Sequence, residues 1–261
     1  MKLKLNKILK NNKTIMLAYD QGLEHGPTDF NDQNVNPNYI LKLGKQGKFN
    51  AIIFQKGIAE KYYQKSKDKI PLIIKLNGKT QLVKGEPYAP QLCTVEEAVK
   101  LGAIAVGYTI YIGSEHESKM FSEFESIQRA ARKKGMPVIA WMYPRGKAIK
   151  NELAKDTLAY AARVGLELGA DMVKMKYNSN PKDLRWIVKS AGKTKVVIAG
   201  GLKANPKKLL KDTYDIMQAG AIGLAIGRNI WQSKAPLKLA AALKSIIFDE
   251  KTAKEAEKLL K

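Results

Sequence analysis

Cysteine and histidine are almost missing: Cys93, His25 and His116 are all that the 261 residues carry. A lone cysteine excludes an intrachain disulfide and points to a reducing compartment, the cytoplasm. So few thiols and imidazoles argue against a zinc site built mainly on them, whereas a carboxylate-only magnesium site stays open. No apolar run approaches the roughly 20 residues of a membrane span, so no membrane partner is expected. The opening stretch Met1-Lys2-Leu3-Lys4-Leu5-Asn6-Lys7 is basic but lacks the apolar core and cleavage site of a signal peptide. Acidic residues are scarce too, 24 against 46 Lys and Arg, for a net charge of +22. That surplus is spread along the chain. Zinc-finger spacing, basic-region heptads and RNP-like aromatics are all lacking, which argues against specific nucleic-acid binding. The charge then reads either as attraction for anionic metabolites or as compositional bias without function. No linker or low-complexity tract divides the chain. With 45% hydrophobic residues it reads as one domain, 1–261, able to bury a full core.

What is present is a repeat of short apolar runs separated by helical patterns. The runs are Thr14 to Tyr19, Phe49 to Gln55, Leu72 to Gly78, Ile104 to Tyr111, Pro137 to Tyr143, Ala170 to Tyr177, Lys195 to Gly201 and Ala221 to Gly227. Eight strands alternating with helices predict an α/β fold, a parallel (β/α)8 TIM barrel. A doubly wound open sheet is the alternative. It usually carries Gly-x-Gly-x-x-Gly after the first strand, where this chain reads Asp20-Gln21-Gly22-Leu23-Glu24-His25-Gly26. Thr94-Val95-Glu96-Glu97 predicts a capping box opening a helix to Leu101. Further helices are expected over Ser114 to Lys134, closed by Gly135, and over Asp156 to Leu168 with Asp156 as N-cap. Pro181 to Ala191, Pro206 to Gln218, Ala235 to Phe248 and Lys251 to Lys261 complete the set. Gly85 to Gln91 reads as a loop or a small hairpin.

The chemistry is expected on the stretch Ala170-Asp171-Met172-Val173-Lys174-Met175-Lys176-Tyr177. Alternation puts Met172, Lys174 and Lys176 on one face of a core strand. A buried unpaired ammonium is costly, so its pKa shifts or it binds an anion. A second cation alongside favours a neutral, nucleophilic amine. The competing reading leaves both lysines in water at a frayed strand end.

In a barrel the active site lies at the C-terminal strand ends. Those ends offer Asp20, Gln55, Asn77, Tyr111, Tyr143 with Arg145, Lys174 with Lys176, Gly200-Gly201 and Gly227-Arg228. An acid, a phenol and two amines suit carbonyl chemistry through an imine. Asp20 could equally cap a turn, and Trp141 and Tyr143 could simply fill the barrel mouth. Glycines ending the last two strands fit a phosphate site, although glycines also make ordinary turns.

Several segments together resemble the archaeal-type class I fructose-1,6-bisphosphate aldolases. They include Leu17-Ala18-Tyr19-Asp20-Gln21-Gly22-Leu23-Glu24-His25-Gly26-Pro27, Phe54 to Glu60, Leu76 to Thr80 and Val106 to Tyr111. Trp141-Met142-Tyr143-Pro144-Arg145-Gly146, Gly169 to Tyr177 and Ala225 to Gln232 continue the match in collinear order. The resemblance implies a (β/α)8 barrel, a phosphorylated sugar substrate and imine catalysis with no metal and no cofactor. It puts the imine on Lys174, acid/base work on Tyr143, the strand-one aspartate at Asp20 and a positioning tryptophan at Trp141. It implies phosphate contacts at Gly200, Gly201, Gly227 and Arg228, and further substrate contacts are expected at Arg145, Lys176, His25 and Gln21. It also implies a homo-oligomer, often rings or stacked rings of five. Two positions depart from the family: Gln21 stands where histidine is usual, and Ala199 where serine is usual. A related imine-forming aldolase or transaldolase is the nearest alternative, and a non-catalytic basic binding protein is a third.

Overall fold

The computed structural model describes residues 5–261. Its strands are β1 Thr14–Ala18, β2 Ala51–Gln55, β3 Leu72–Lys75, β4 Ala103–Ile112, β5 Val138–Pro144, β6 Met172–Met175, β7 Lys195–Ala199 and β8 Gly223–Ile226. They form a closed barrel in sequence order, every pair parallel, with β8 returning to β1. Helices follow the strands and cover the outside, as parallel crossovers require.

Strand alternation sorts the core into two layers. Met16, Ala51, Ile53, Ile73, Ala105, Ile139, Met172, Val197 and Ala225 fill the inside of the barrel. Their neighbours Leu17, Ile52, Ile74, Val106, Val173, Ile198 and Leu224 point outward. There they pack on helical residues such as Leu41, Phe124, Leu184 and Leu243. Burial on both faces explains why the runs are almost wholly apolar, and why a charged residue inside one of them has to be accounted for.

The helix Val95–Lys100 carries the expected capping box on Thr94 and Glu97, and Gly102 follows with φ +80°. Gly135, φ +61°, closes the helix Glu117–Lys133. Asp156 is not an N-cap. The helix spans Lys155–Glu167, Ala154 occupies the cap without a side-chain bond, and Asp156 sits in the first turn, where its charge complements the helix dipole. Pro181–Ser190 and Pro206–Gln218 are capped by Asn180 and Asn205, whose side chains accept backbone N–H bonds. The C-terminal segment is shorter than expected, with a helix Ala253–Glu257 capped on Thr252 and a 3-10 turn Lys258–Leu260. Residues 85–91 form no hairpin; Gln91 bridges to Asn77 instead. Several strands stop early, β7 at Ala199 rather than Gly201 among them. β3 ends at Lys75 rather than running to Gly78, and β6 ends at Met175, so Lys176 lies beyond the ladder.

Candidate active site

A cavity of about 1020 Å³ opens at the C-terminal ends of the strands. Each expected catalytic, substrate-binding and phosphate-binding residue lines it: Asp20, Gln21, His25, Trp141, Tyr143, Arg145, Lys174, Lys176, Gly200, Gly201, Gly227 and Arg228.

Lys174 shares the inward face of β6 with Met172, and pairs Trp141 on one side and Val197 on the other. Lys174 is 6% exposed, whereas the side chain of Lys176 is 29% exposed. The Lys174 Nζ lies 4.8 Å from the centre of the Trp141 ring. Burial pulls its pKa from the usual lysine range down to about 8; Asp20 and Glu24 oppose the fall and Lys75 adds to it. The amine is therefore much nearer to its neutral, nucleophilic form than a surface lysine.

The shelf under that amine is built by a missing side chain. Trp141 leans across Gly107 on β4, where a Cβ would come within 1.9 Å of the indole Cζ3. The indole is 1% exposed and its Nε1 has no hydrogen-bond partner among the described residues. A buried indole N–H without a partner is a free donor.

Two residues further along β5, Tyr143 faces the same side. Burial holds its pKa well above that of a free phenol, Asp20, Glu24 and Tyr111 add to the rise, and Arg145 opposes it. The hydroxyl keeps its proton near neutral pH and stands ready to donate it. Asp20 continues the inward parity of Met16 and Ala18 past the end of β1 and is 6% exposed. Its Oδ2 lies 3.8 Å from Nζ of Lys75.

Lys75 is a further cavity residue, one to which the strand ends in the sequence do not point. It shares the inward face of β3 with Ile73, is 5% exposed and lines the cavity. A lysine at an inward position of an apolar run is itself the signal. It also corrects an expectation: the second cation acting on Lys174 is Lys75 and not Lys176. Lys176 is ion-paired to Glu152, which also accepts from Arg145 Nε at 3.1 Å. Arg145 reaches Glu24 at 3.5 Å on its other side. A chain Glu24–Arg145–Glu152–Lys176 thus crosses the mouth, and its two carboxylates were not expected from the sequence.

The glycine turns behave as close-approach points. A Cβ on Gly227 would stand 2.4 Å from the Ala18 carbonyl oxygen, and one on Gly200 2.6 Å from Ile226 Cγ1. Gly201 has φ +64°, the left-handed region where glycine is unstrained. Asn229 braces this corner, donating to the carbonyls of Gly200 at 2.7 Å and Leu202 at 2.9 Å and accepting from Ala204 N at 2.7 Å. Arg228 Nη2 donates to the Gly201 carbonyl at 3.2 Å. His25 lines the cavity with Nδ1 bonded to Asp29 at 2.5 Å. The departures Gln21 and Ala199 are both on the cavity wall, and Gln21 Nε2 is buried without a partner among the described residues.

Three strand-end residues do not join the site. Asn77 is fully buried and ties strands together, donating to the carbonyls of Ala89 and Thr109 and accepting from Thr109 N. Gln55 donates to the Asn77 carbonyl. Tyr111 does not line the cavity; it pairs with Tyr143 across β4 and β5, with the Arg145 guanidinium 5.6 Å from its ring centre. Lys147, close behind Arg145 in sequence, pairs with Glu115 outside the cavity.

The sequence is matched by the model of the DeoC/LacD family aldolases over residues 14–233. The class 1 fructose-bisphosphate aldolase of Thermoproteus tenax is 50% identical over 245 residues, 93% of this chain and 92% of that protein. A Methanocaldococcus jannaschii protein, fructose-bisphosphate aldolase/6-deoxy-5-ketofructose 1-phosphate synthase, is 36% identical over 268 residues, 96% of this chain and 86% of that one. An archaeal fructose-1,6-bisphosphate aldolase, solved with its catalytic lysine covalently bound to the carbinolamine intermediate, superposes with a TM-score of 0.89. That structure is 49% identical, covering 94% of this chain and 98% of its own.

Proposed function

This chain belongs to the DeoC/LacD family of aldolases, and from that membership we propose that it is a class I, Schiff-base fructose-1,6-bisphosphate aldolase with its imine on Lys174. It cleaves fructose 1,6-bisphosphate reversibly to dihydroxyacetone phosphate and glyceraldehyde 3-phosphate. The observation that carries the assignment to Lys174 is its buried amine, lying over Trp141 in the cavity that also holds Tyr143 and Asp20.

The neutral amine of Lys174 adds to the C2 ketone, and the oxygen takes up a proton to give a carbinolamine. Tyr143 protonates the departing hydroxyl, which leaves as water and generates the iminium. The phenolate left on Tyr143 takes the O4 proton, and the C3–C4 bond breaks. Its electron pair passes into the iminium, giving an enamine and releasing glyceraldehyde 3-phosphate. Protonation at C3 and hydrolysis return dihydroxyacetone phosphate and free Lys174. Asp20 orients the sugar hydroxyls. The iminium is the electron sink, so the reaction is metal-independent. A coupled cleavage assay with fructose 1,6-bisphosphate, run before and after exhaustive EDTA treatment, is expected to give equal rates. No cleavage at all sinks the substrate assignment. Loss on chelation that a divalent ion restores sinks the metal-free mechanism.

One phosphate is held by backbone N–H groups around Gly200, Gly201 and Gly227 with Arg228, the other by Arg145 and Lys176. Glu152 already neutralises Arg145 and Lys176, so an incoming phosphate displaces a carboxylate. Glu152→Gln is therefore expected to lower KM for the bisphosphate roughly two- to fivefold, the scale of one partly exposed ion pair. Steady-state kinetics check it, and an unchanged or higher KM removes Glu152 as the competitor.

The whole chain, 1–261, acts as one catalytic domain, since β1 and β8 near its two ends close the same barrel. It assembles as a homo-oligomer, a ring of five or two stacked rings. Exposed Tyr160 and Trp186 on neighbouring helices, 68% and 48% accessible, support a buried protein contact there. No helix among the described residues is long and apolar enough to cross a membrane. A single buried thiol, Cys93, supports operation in the reducing cytoplasm.

A further inference from the structure

Resting on the assignment of the imine to Lys174, we propose that Lys75 is a positioning residue of this reaction, a buried ammonium that aligns the Asp20 carboxylate and adds a positive charge inside the barrel. Lys75 ends β3, paired to Gln55 of β2 and Gly107 of β4, so its Cα is fixed in the wall. Gly107 is the same residue whose missing side chain admits the Trp141 ring. Lys75 and Trp141 are thus set by neighbouring strands around one glycine. The side chain of Lys75 is 6% exposed, and Asp20, at 3.8 Å, is its one ion-pair partner among the described residues. That separation is too long for a hydrogen bond, so the attraction is purely electrostatic and leaves the donors of Lys75 unspent.

A lysine inside an apolar strand costs desolvation energy that a single carboxylate at this distance offsets poorly. A core position of this kind is filled more cheaply by an apolar residue, as Ile73 fills the layer below. The charge therefore has its use in the cavity it faces. The groups that share the cavity with Lys174 include Asp20 and Glu24 from the segment after β1, Lys75 from β3, Tyr143 from β5, Arg145 just past β5 and Lys176 just past β6. Asp20 and Glu24 hold the proton on the Lys174 amine, and Lys75 pushes it off. Without Lys75, Asp20 would lose its ion-pair partner and be free to turn onto the amine itself. Lys75 keeps the acid engaged and the amine available.

The test is the pH profile of kcat/KM for wild type, Lys75→Met, Lys75→Gln and Lys75→Arg, with borohydride trapping of dihydroxyacetone phosphate mapped in each. In Lys75→Met the acid limb is expected to move to higher pH by roughly half to one unit, the effect of one nearby charge. At pH 7 that appears as a loss of roughly three- to tenfold, recovered on the alkaline plateau. Lys75→Gln reports the same shift if the methionine variant fails to fold, and Lys75→Arg keeps the limb in place. A limb that stays put in both neutral variants, or a loss equal at every pH, overturns the proposal and leaves Lys75 structural. A wild-type adduct on any other lysine instead overturns the prior assignment to Lys174.

Discussion

Reduction of the protein with borohydride in the presence of dihydroxyacetone phosphate is expected to leave one adduct, on the peptide containing Lys174. Lys174→Ala is expected to abolish trapping and to lower turnover by roughly five to six orders of magnitude, the scale seen when a covalent nucleophile is lost. Lys176→Ala is expected to keep trapping, with weaker substrate binding. Both lysines share one side of the β6 line, so alternation cannot separate them. Depth can. Lys174 sits within the ladder between Trp141 and Val197. Lys176 lies past its end and is bound to Glu152. The Lys176 nitrogen is engaged by the Glu152 carboxylate, whereas burial has brought Lys174 to about 8. An adduct on Lys176 in the wild-type protein, or trapping that survives in Lys174→Ala, reverses the assignment.

Tyr143→Phe is expected to bind substrate with little change and to turn over roughly two to four orders of magnitude more slowly, the usual contribution of a general acid/base. Single-turnover kinetics and substrate protection separate the two effects. Burial and the carboxylates of Asp20 and Glu24 hold the phenol in its protonated form across the physiological range. The direction matters: a hydroxyl that never ionises near neutral pH serves first as a donor, to the oxygen leaving C2. Its ionisation is therefore not expected to limit activity on the alkaline side of neutrality. Turnover within threefold of wild type excludes Tyr143 from proton transfer. A large loss of binding with preserved turnover makes it a wall of the cavity.

The barrel was legible because its rule is local. Eight apolar runs of strand length, each followed by a crossover of helical length, admit few parallel topologies, and all eight appear as strands in that order. Inward parity was legible for the same reason, which is why Asp20, Tyr143 and Lys174 could be aimed at one cavity from three separate strands. Strand ends were harder. Lys75 went unnoticed because the run from Leu72 to Gly78 reads as one strand whose end is Asn77. In the structure Asn77 lies past the end of β3 and its amide is consumed by backbone groups of Ala89 and Thr109.

Sequence by itself determined the closed parallel barrel, the face of each strand that looks inward and the cluster of acid, phenol and amine at one end. These follow from periodicities of about 2 and 3.6 residues that each segment carries alone. Tertiary structure decided which charges meet. Glu24, Arg145, Glu152 and Lys176 form one network from residues up to 152 positions apart on the chain, counted from Glu24 to Lys176. Lys75, not Lys176, became the cation acting on Lys174. Electrostatic coupling depends on through-space distance and on how much water is excluded between two groups, and neither quantity is written in the order of residues along a chain.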